Sequence, residues 1–148
     1  MTGQGRPTGV FHTRVEWIDT DAAGIYHNST VMRFVEAAEA TLMHERGLTG
    51  YFPVAPRVRF EVDFEAPLFF RQEVTAVVTL AHLGRSSMRF DFEVWGEELD
   101  GRARRRAARG AYITVHIGGG AAAHAEGAAS APWPGAWVAA LAPAECGR

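Results

Sequence analysis

The sequence predicts one α+β domain, in which an antiparallel sheet of about five strands wraps around a single long helix. The length of 148 residues suits one domain and is short for two. Only one segment shows helical periodicity over four to five turns, whereas several segments alternate apolar and polar residues with a period of two. One long helix followed by consecutive antiparallel strands is typical of a layered α+β domain.

The strands follow from this alternation and from β-branched composition. We predict strands at residues 10–18, 58–65, 74–83, 86–95 and 102–117. Tight turns are predicted at Gly84-Arg85 and at Asp100-Gly101, between the last three strands.

The long helix lies between the first two strands. Its apolar positions recur at helical spacing and are Val31, Phe34, Val35, Ala38 and Leu42. Asn28 or Ser29 is suited to the N-cap, and Gly47 is a natural stop. The apolar side of this helix requires the sheet to cover it.

The chain divides into four parts. We predict a flexible N-terminus at residues 1–9, the folded domain at 10–117 and a Gly/Ala-rich linker at 118–131. The C-terminal tail is 132–148, where Trp133, Trp137 and Leu141 favour a short helix.

The composition argues against several classes of function. The net charge of −2 and pI near 6.3 argue against a nucleic-acid or membrane-surface binder. No apolar run is long enough to cross a bilayer and no signal peptide is visible, so a cytoplasmic location is expected. Cys146 is the single cysteine, and the histidines lack metal-ligand spacing, so no metal site is predicted.

The most informative segment is the decapeptide at residues 19–28. It contains two carboxylates, a glycine, a histidine and an asparagine, between a predicted strand and the long helix. A helix start presents free backbone N–H groups and the positive end of the helix dipole. A carboxylate facing such amides is suited to attacking and polarising a carbonyl group.

These residues resemble the hotdog-fold thioesterases of the 4-hydroxybenzoyl-CoA thioesterase-like family. Asp19, Asp21, Gly24 and Ile25 match its D-x-D-x-x-G-I motif, and Arg33-Phe34 with Glu36 match the helix that follows. Asp63-Phe64 with Pro67 and the hairpin Gly84-Arg85-Ser86-Ser87 are similar to later family motifs. The family histidine usually stands where this chain has Asn28, and His27 comes one position earlier. The chain also resembles a related D-x-x-G-H-x-N-N branch, in which asparagine occupies the place of Asn28.

The resemblance implies an acyl-CoA thioesterase with Asp21 as the catalytic carboxylate, acting as a nucleophile or as a general base. The backbone N–H of Asn28 would polarise the carbonyl, while its side chain orders water or caps the helix. Gly24 supplies a backbone angle or a close approach. His27 positions substrate or donates a proton, or is an exposed residue without a role.

The substrate side is assigned to Ile25, Tyr26 and the hairpin residues Arg85, Ser86 and Ser87, because arginine suits coenzyme A phosphates. The basic cluster at residues 102–109 either helps to bind the coenzyme A phosphates or belongs to a solvent-exposed edge strand. Coenzyme A is part of the substrate, and no separate cofactor is expected. An acyl carrier protein is the alternative carrier.

The resemblance also implies a homodimer or homotetramer with its sites at the subunit boundary. Two other functions stay open. A hotdog dehydratase or hydratase would pair His27 with Asp21 to move an α-proton. A non-catalytic acyl-CoA-binding module would use the same fold without turnover.

Overall fold

The computed structural model describes residues 5–118 and 129–143 of the chain. Its elements, in chain order, are β1 (Thr8–Arg14), a 3-10 turn (Trp17–Asp19), α1 (Thr30–Glu45), a second 3-10 turn (Phe52–Val54), β2 (Arg57–Phe64), β3 (Glu73–Leu83), β4 (Ser87–Gly96), β5 (Arg105–Val115) and α2 (Gly135–Ala140).

The five strands form one antiparallel sheet in the order β1-β3-β4-β5-β2. The helix α1 packs on one face of this sheet, against β1, β3 and β4. The predicted α+β architecture is therefore confirmed. Strands β1 and β2 are the two edges, and within residues 5–118 and 129–143 each leaves backbone hydrogen-bonding groups without a strand partner on its outer side.

The core lies between α1 and the sheet. The predicted apolar face of the helix is fully buried, and so are the alternating residues of β4, which are Met88, Phe90, Phe92 and Val94. Gly9 of β1 lets the helix come close, because a Cβ there would lie 2.2 Å from the Ala38 carbonyl oxygen. The sheet begins at Thr8, inside the segment predicted to be flexible, because the pairing of β1 with β3 starts with Thr8 opposite Thr79.

The first strand ends earlier than predicted. It stops at Arg14, and the chain enters the 3-10 turn at Trp17 because the Asp19 carboxylate accepts the Glu16 N–H at 2.8 Å. A side chain that bonds the nearby backbone competes with the strand ladder in this way. Trp17 and Ile18 are 76% and 86% exposed, so the period-two pattern misassigned both residues.

The last strand also differs from the prediction, both in its length and in its position in the sheet. We predicted residues 102–117 as a strand and considered a solvated edge, but β5 covers Arg105–Val115 and lies between β4 and β2. Near its start, Arg106 forms ion pairs with Glu65 and Glu93. Hence the edge-strand explanation of the basic cluster is wrong.

The C-terminal segment docks on the domain. Trp133 and Leu141 are buried, and the Trp133 ring stacks 6.0 Å from that of Tyr51. The backbone N–H of Trp133 donates to the Arg85 carbonyl at 3.0 Å. Ser130 forms a β-bridge with Ile117, so that end of the predicted linker is attached to the body. The rest of the linker (119–128) and Cys146 lie outside the described residues.

A buried polar network ties α1 to β2. The Glu39 side chain is fully buried and pairs with the Arg57 guanidinium. The Tyr51 hydroxyl lies 2.9 Å from both Glu39 Oε2 and Thr114 Oγ1. Burial raises the pKa of the Glu39 carboxyl, and the Arg57 charge and the Tyr51 hydroxyl oppose that rise only in part.

This pKa shift predicts a pH-dependent stability difference between the wild type and Glu39→Gln. A carboxyl whose pKa is raised on folding stabilises the fold most below its ordinary value of 4.5, and that contribution is lost as pH rises through the folded value. We therefore expect the wild type to lose stability relative to Glu39→Gln as pH rises above 4.5, as measured by urea unfolding. A difference independent of pH, or one that grows in favour of the wild type, would contradict this prediction.

Candidate active site

The predicted catalytic segment forms a small hairpin ahead of α1. Its two sides meet in a bridge between Thr20 and Tyr26, and the Asp21 N–H donates to the Ile25 carbonyl at 2.8 Å. Gly24 stands in the turn with a φ of 80°, in the left-handed region that favours glycine. Because no atom lies within 4 Å of an added Cβ, Gly24 is needed for its backbone angle and not for space.

The Asp21 side chain lies at this turn and is exposed to solvent in the single chain. Its Oδ1 accepts the Ala23 N–H at 2.7 Å, which holds the carboxylate against the turn. Oδ2 has no hydrogen-bond partner within the described ranges 5–118 and 129–143. His27 is also exposed, and no hydrogen bond joins it to Asp21, although the predicted acid–base pair requires their contact.

Asn28 lies immediately before the helix and does not cap it. The N-cap position belongs to Ser29, whose side chain makes no capping hydrogen bond. Across the described part of the chain, the backbone N–H of Asn28 donates to no acceptor and its side chain makes no hydrogen bond. An exposed helix start therefore presents a free amide next to the hairpin that carries Asp21.

A second segment, residues 66–72, supports the hairpin from the sheet side. The Tyr26 N–H donates to the Leu68 carbonyl at 2.9 Å, and Ile25 forms a bridge with Phe69. Tyr26 is buried against Phe64, with ring centroids 6.3 Å apart. Burial raises the pKa of Tyr26 to about 12, so its hydroxyl is protonated at neutral pH. Tyr26 thus lines the site as a neutral side chain.

The predicted hairpin residues do not join Asp21 within one chain. Arg85 and Ser86 lie in the turn between β3 and β4, and Ser87 begins β4. The hairpin that carries Asp21 follows Arg14, which pairs with Glu73 at the other end of β3. Strand β3 has 11 residues and spans roughly 35 Å. In the single chain the two groups are therefore at opposite ends of the sheet.

One arginine of the basic cluster lies near the catalytic hairpin. The Arg102 guanidinium lies 3.9 Å from the centroid of the Phe69 ring, and Phe69 pairs with Ile25. Arg104 and Arg106 are neutralised by Glu97, Glu65 and Glu93. Arg102 has no ion-pair partner within the described ranges, and its contact with Phe69 places it beside the hairpin, where it is available to an anionic ligand.

The opposite face of the sheet carries a large open groove of about 1070 Å³. Its walls mix both signs of charge, and they include Arg6, Arg89 and Arg109 as well as Glu61, Asp63 and Asp91. The catalytic hairpin does not line it. Among the described helices, none is long and apolar enough to span a membrane.

Sequence comparison identifies the family. The profile of the Thioesterase superfamily matches residues 23–102, which is more than half of the chain. The chain belongs to the Thioesterase superfamily. The matched region contains His27, Asn28 and the whole of α1, and it begins two residues after Asp21.

Relatives of this thioesterase agree with the assignment. A protein of Aquifex aeolicus named "Putative esterase" is 26% identical over 99 residues, 61% of this chain and 74% of its own length. The 1,4-dihydroxy-2-naphthoyl-CoA thioesterase of Synechocystis superposes with a TM-score of 0.75 at 20% identity, covering 90% of this chain and 95% of that one. The 4-hydroxybenzoyl-CoA thioesterase of Pseudomonas sp. strain CBS-3 gives a TM-score of 0.77 at 18% identity, covering 90% and 99%.

These findings confirm the predicted hotdog fold and the predicted thioester hydrolase class. The sequence favoured Phe69 as a core residue and included Arg102 only as a member of the basic cluster, whereas the structure places both beside the hairpin. A usable signal was present, because an alternating antiparallel order places the predicted Asp100-Gly101 turn at the sheet end where the first strand stops.

Proposed function

We propose that this thioesterase hydrolyses an acyl- or aroyl-CoA thioester to the free acid and coenzyme A, with Asp21 as its catalytic carboxylate. One observation carries the proposal. A carboxylate with a free oxygen and a free backbone N–H, that of Asn28, flank the same short hairpin at the start of α1. These are the two groups that thioester cleavage needs, an attacking or proton-accepting oxygen and a donor for the developing oxyanion.

Two routes use the same groups. In the first, an Asp21 oxygen attacks the thioester carbonyl, the C–S bond breaks, and water then hydrolyses the mixed anhydride to release the acid and restore Asp21. In the second, Asp21 takes a proton from water, which attacks the carbonyl directly, and the proton passes to the leaving thiolate. In both, the Asn28 N–H stabilises the negative carbonyl oxygen of the tetrahedral intermediate.

A second copy of the chain would complete the site. Edge strand β2 has an open hydrogen-bonding side, and its neighbouring apolar residues Val58 and Phe64 are exposed. Antiparallel pairing of two β2 strands about a two-fold axis would bring Arg85 of the partner subunit to the end of the sheet that carries Asp21. A homodimer, alone or within a homotetramer, therefore supplies the hairpin arginine that the single chain leaves distant.

The substrates of the structurally similar thioesterases guide the choice of acyl group. They are 4-hydroxybenzoyl-CoA and 1,4-dihydroxy-2-naphthoyl-CoA, both aromatic thioesters. Exposed aromatic rings beside the hairpin, those of Phe64 and Phe70, suit an aroyl group. We therefore place aroyl-CoAs ahead of aliphatic acyl-CoAs, and coenzyme A ahead of an acyl carrier protein.

The test is release of free thiol from a panel of aromatic and aliphatic acyl-CoAs and acyl carrier proteins. We expect turnover of at least one aroyl-CoA, with the protein running as a dimer or tetramer in a mass measurement. Hydration of an enoyl-CoA without thiol release would favour the dehydratase, and binding without turnover would favour the acyl-CoA-binding module. Either result would overturn the proposed function.

A further inference from the structure

Asp19 lies at the base of the hairpin that carries Asp21, at the end of the first 3-10 turn. An aspartate at a strand end often only satisfies a turn, so the sequence favours Asp21 over Asp19. Its side chain is buried, in contrast to that of Asp21. Oδ2 accepts the Glu16 N–H at 2.8 Å, and Oδ1 pairs with the Arg33 guanidinium. A buried carboxylate requires such a compensating charge and hydrogen bonds.

The backbone of the same residue holds the other side of the hairpin. The Asp19 carbonyl accepts the His27 N–H at 2.7 Å and the Thr30 hydroxyl at 3.2 Å. His27 directly precedes Asn28, and Thr30 is the first residue of α1. Through its carbonyl and carboxylate, Asp19 therefore connects the end of the first strand, the helix start and the first helical turn.

Arg33 fixes this arrangement from the helix. It lies one turn into α1, where its guanidinium meets Asp19 and lies 4.8 Å from the centroid of the Phe34 ring. Phe34 is fully buried in the core, so the guanidinium is held by a rigid support. The Arg33 side chain is still 54% exposed, which leaves it reachable from solvent.

We propose that Asp19 and Arg33 form a positioning pair that sets the distance between the Asp21 carboxylate and the Asn28 N–H. This inference rests on the proposed function for its catalytic consequence. Neither residue needs to touch substrate. When the pair is broken, the hairpin keeps its backbone bonds to residues 66–72 but loses the ion pair that joins Asp19 to the first turn of α1.

The test compares Arg33→Met with Arg89→Met. Arg89 is a matched control, because its side chain is also 54% exposed and pairs with a carboxylate, Asp91, on the far face of the sheet. A displacement of about 1 Å in a catalytic constellation costs about 10²-fold. We therefore expect kcat to fall about 10²-fold in Arg33→Met, with KM nearly unchanged and with wild-type kcat in Arg89→Met.

Chemical rescue separates positioning from general loss of stability. In Arg33→Ala, guanidinium ion at sub-denaturing concentration is expected to restore kcat in a saturable way, because the site of the missing group is open to solvent. Sodium chloride at the same ionic strength is expected to restore nothing. Full activity in Arg33→Met, or absence of rescue in a folded Arg33→Ala, would overturn the inference.

Hydrogen exchange keeps this inference distinct from the proposed function. The His27 amide is protected by the Asp19 carbonyl, so amides at residues 20–28 should exchange faster in Arg33→Met than in Arg89→Met. If the wild type cleaves no thioester and exchange is still accelerated, only the proposed function fails. If the wild type is active and exchange at 20–28 is unchanged, the positioning pair fails.

Discussion

The Asp21→Asn variant is expected to lose about 10²–10⁴-fold in kcat, the loss typical when a catalytic acid–base group is removed. The substitution keeps the size of the side chain and an oxygen that accepts the Ala23 N–H, so the turn is preserved. It removes the negative charge that both routes need. The measurement is initial-rate thiol release from the best aroyl-CoA of the panel, with KM and thermal stability determined alongside.

A matched control is Asp91→Asn, because Asp91 is an exposed aspartate on the opposite face of the sheet. We expect wild-type kcat in this variant. Equal activity in Asp21→Asn and the wild type would remove Asp21 from the mechanism. A loss of folding stability alone would appear as a lower concentration of active enzyme and not as a lower kcat per folded molecule.

Removal of the Asn28 backbone N–H is expected to have the next largest effect, about 10²–10³-fold in kcat. Proline is the one amino acid that deletes this donor, and proline is tolerated just before and within the first turn of a helix. Asn28→Ala keeps the N–H and removes only the side chain. Since the Asn28 side chain makes no hydrogen bond within the described ranges, Asn28→Ala should retain activity close to that of the wild type.

The comparison of the two Asn28 variants shows whether the backbone N–H or the side chain of Asn28 contributes to catalysis. If Asn28→Ala is as slow as Asn28→Pro, the side chain and not the amide is the active group. If both variants retain wild-type kcat, the oxyanion donor lies elsewhere. Thermal unfolding of both variants checks that the helix start is intact.

The fold was largely predictable because its pattern is local. The apolar stripe of α1 and the alternation in β4 each reflect one buried face, and both faces are found where the sequence places them. The prediction of strands was wrong in two situations. In one, a side chain bonds the nearby backbone, and in the other, the position of a strand in the sheet depends on its pairing with a strand distant in sequence. Asp19 ended β1 early, and pairing with β2 made β5 an interior strand.

The candidate site was predictable in part. Motif spacing located Asp21, Gly24 and Asn28, because all three belong to one loop and its helix start. Spacing carries no information on burial, so it ranked Asp19 below Asp21 as a turn residue and left its contacts with Arg33 unseen. The distance of Arg85 from Asp21 depends on strand length and quaternary structure, which sequence periodicity does not encode.

The most direct measurement is a crystal structure of Asp21→Asn with an uncleaved aroyl-CoA bound. We expect the thioester carbonyl oxygen to lie about 3 Å from the Asn28 backbone nitrogen, with the carbonyl carbon facing the residue 21 side chain. We also expect a partner subunit to cover this side chain. A thioester bound away from the start of α1, with residue 21 still open to solvent in the assembled protein, would contradict it.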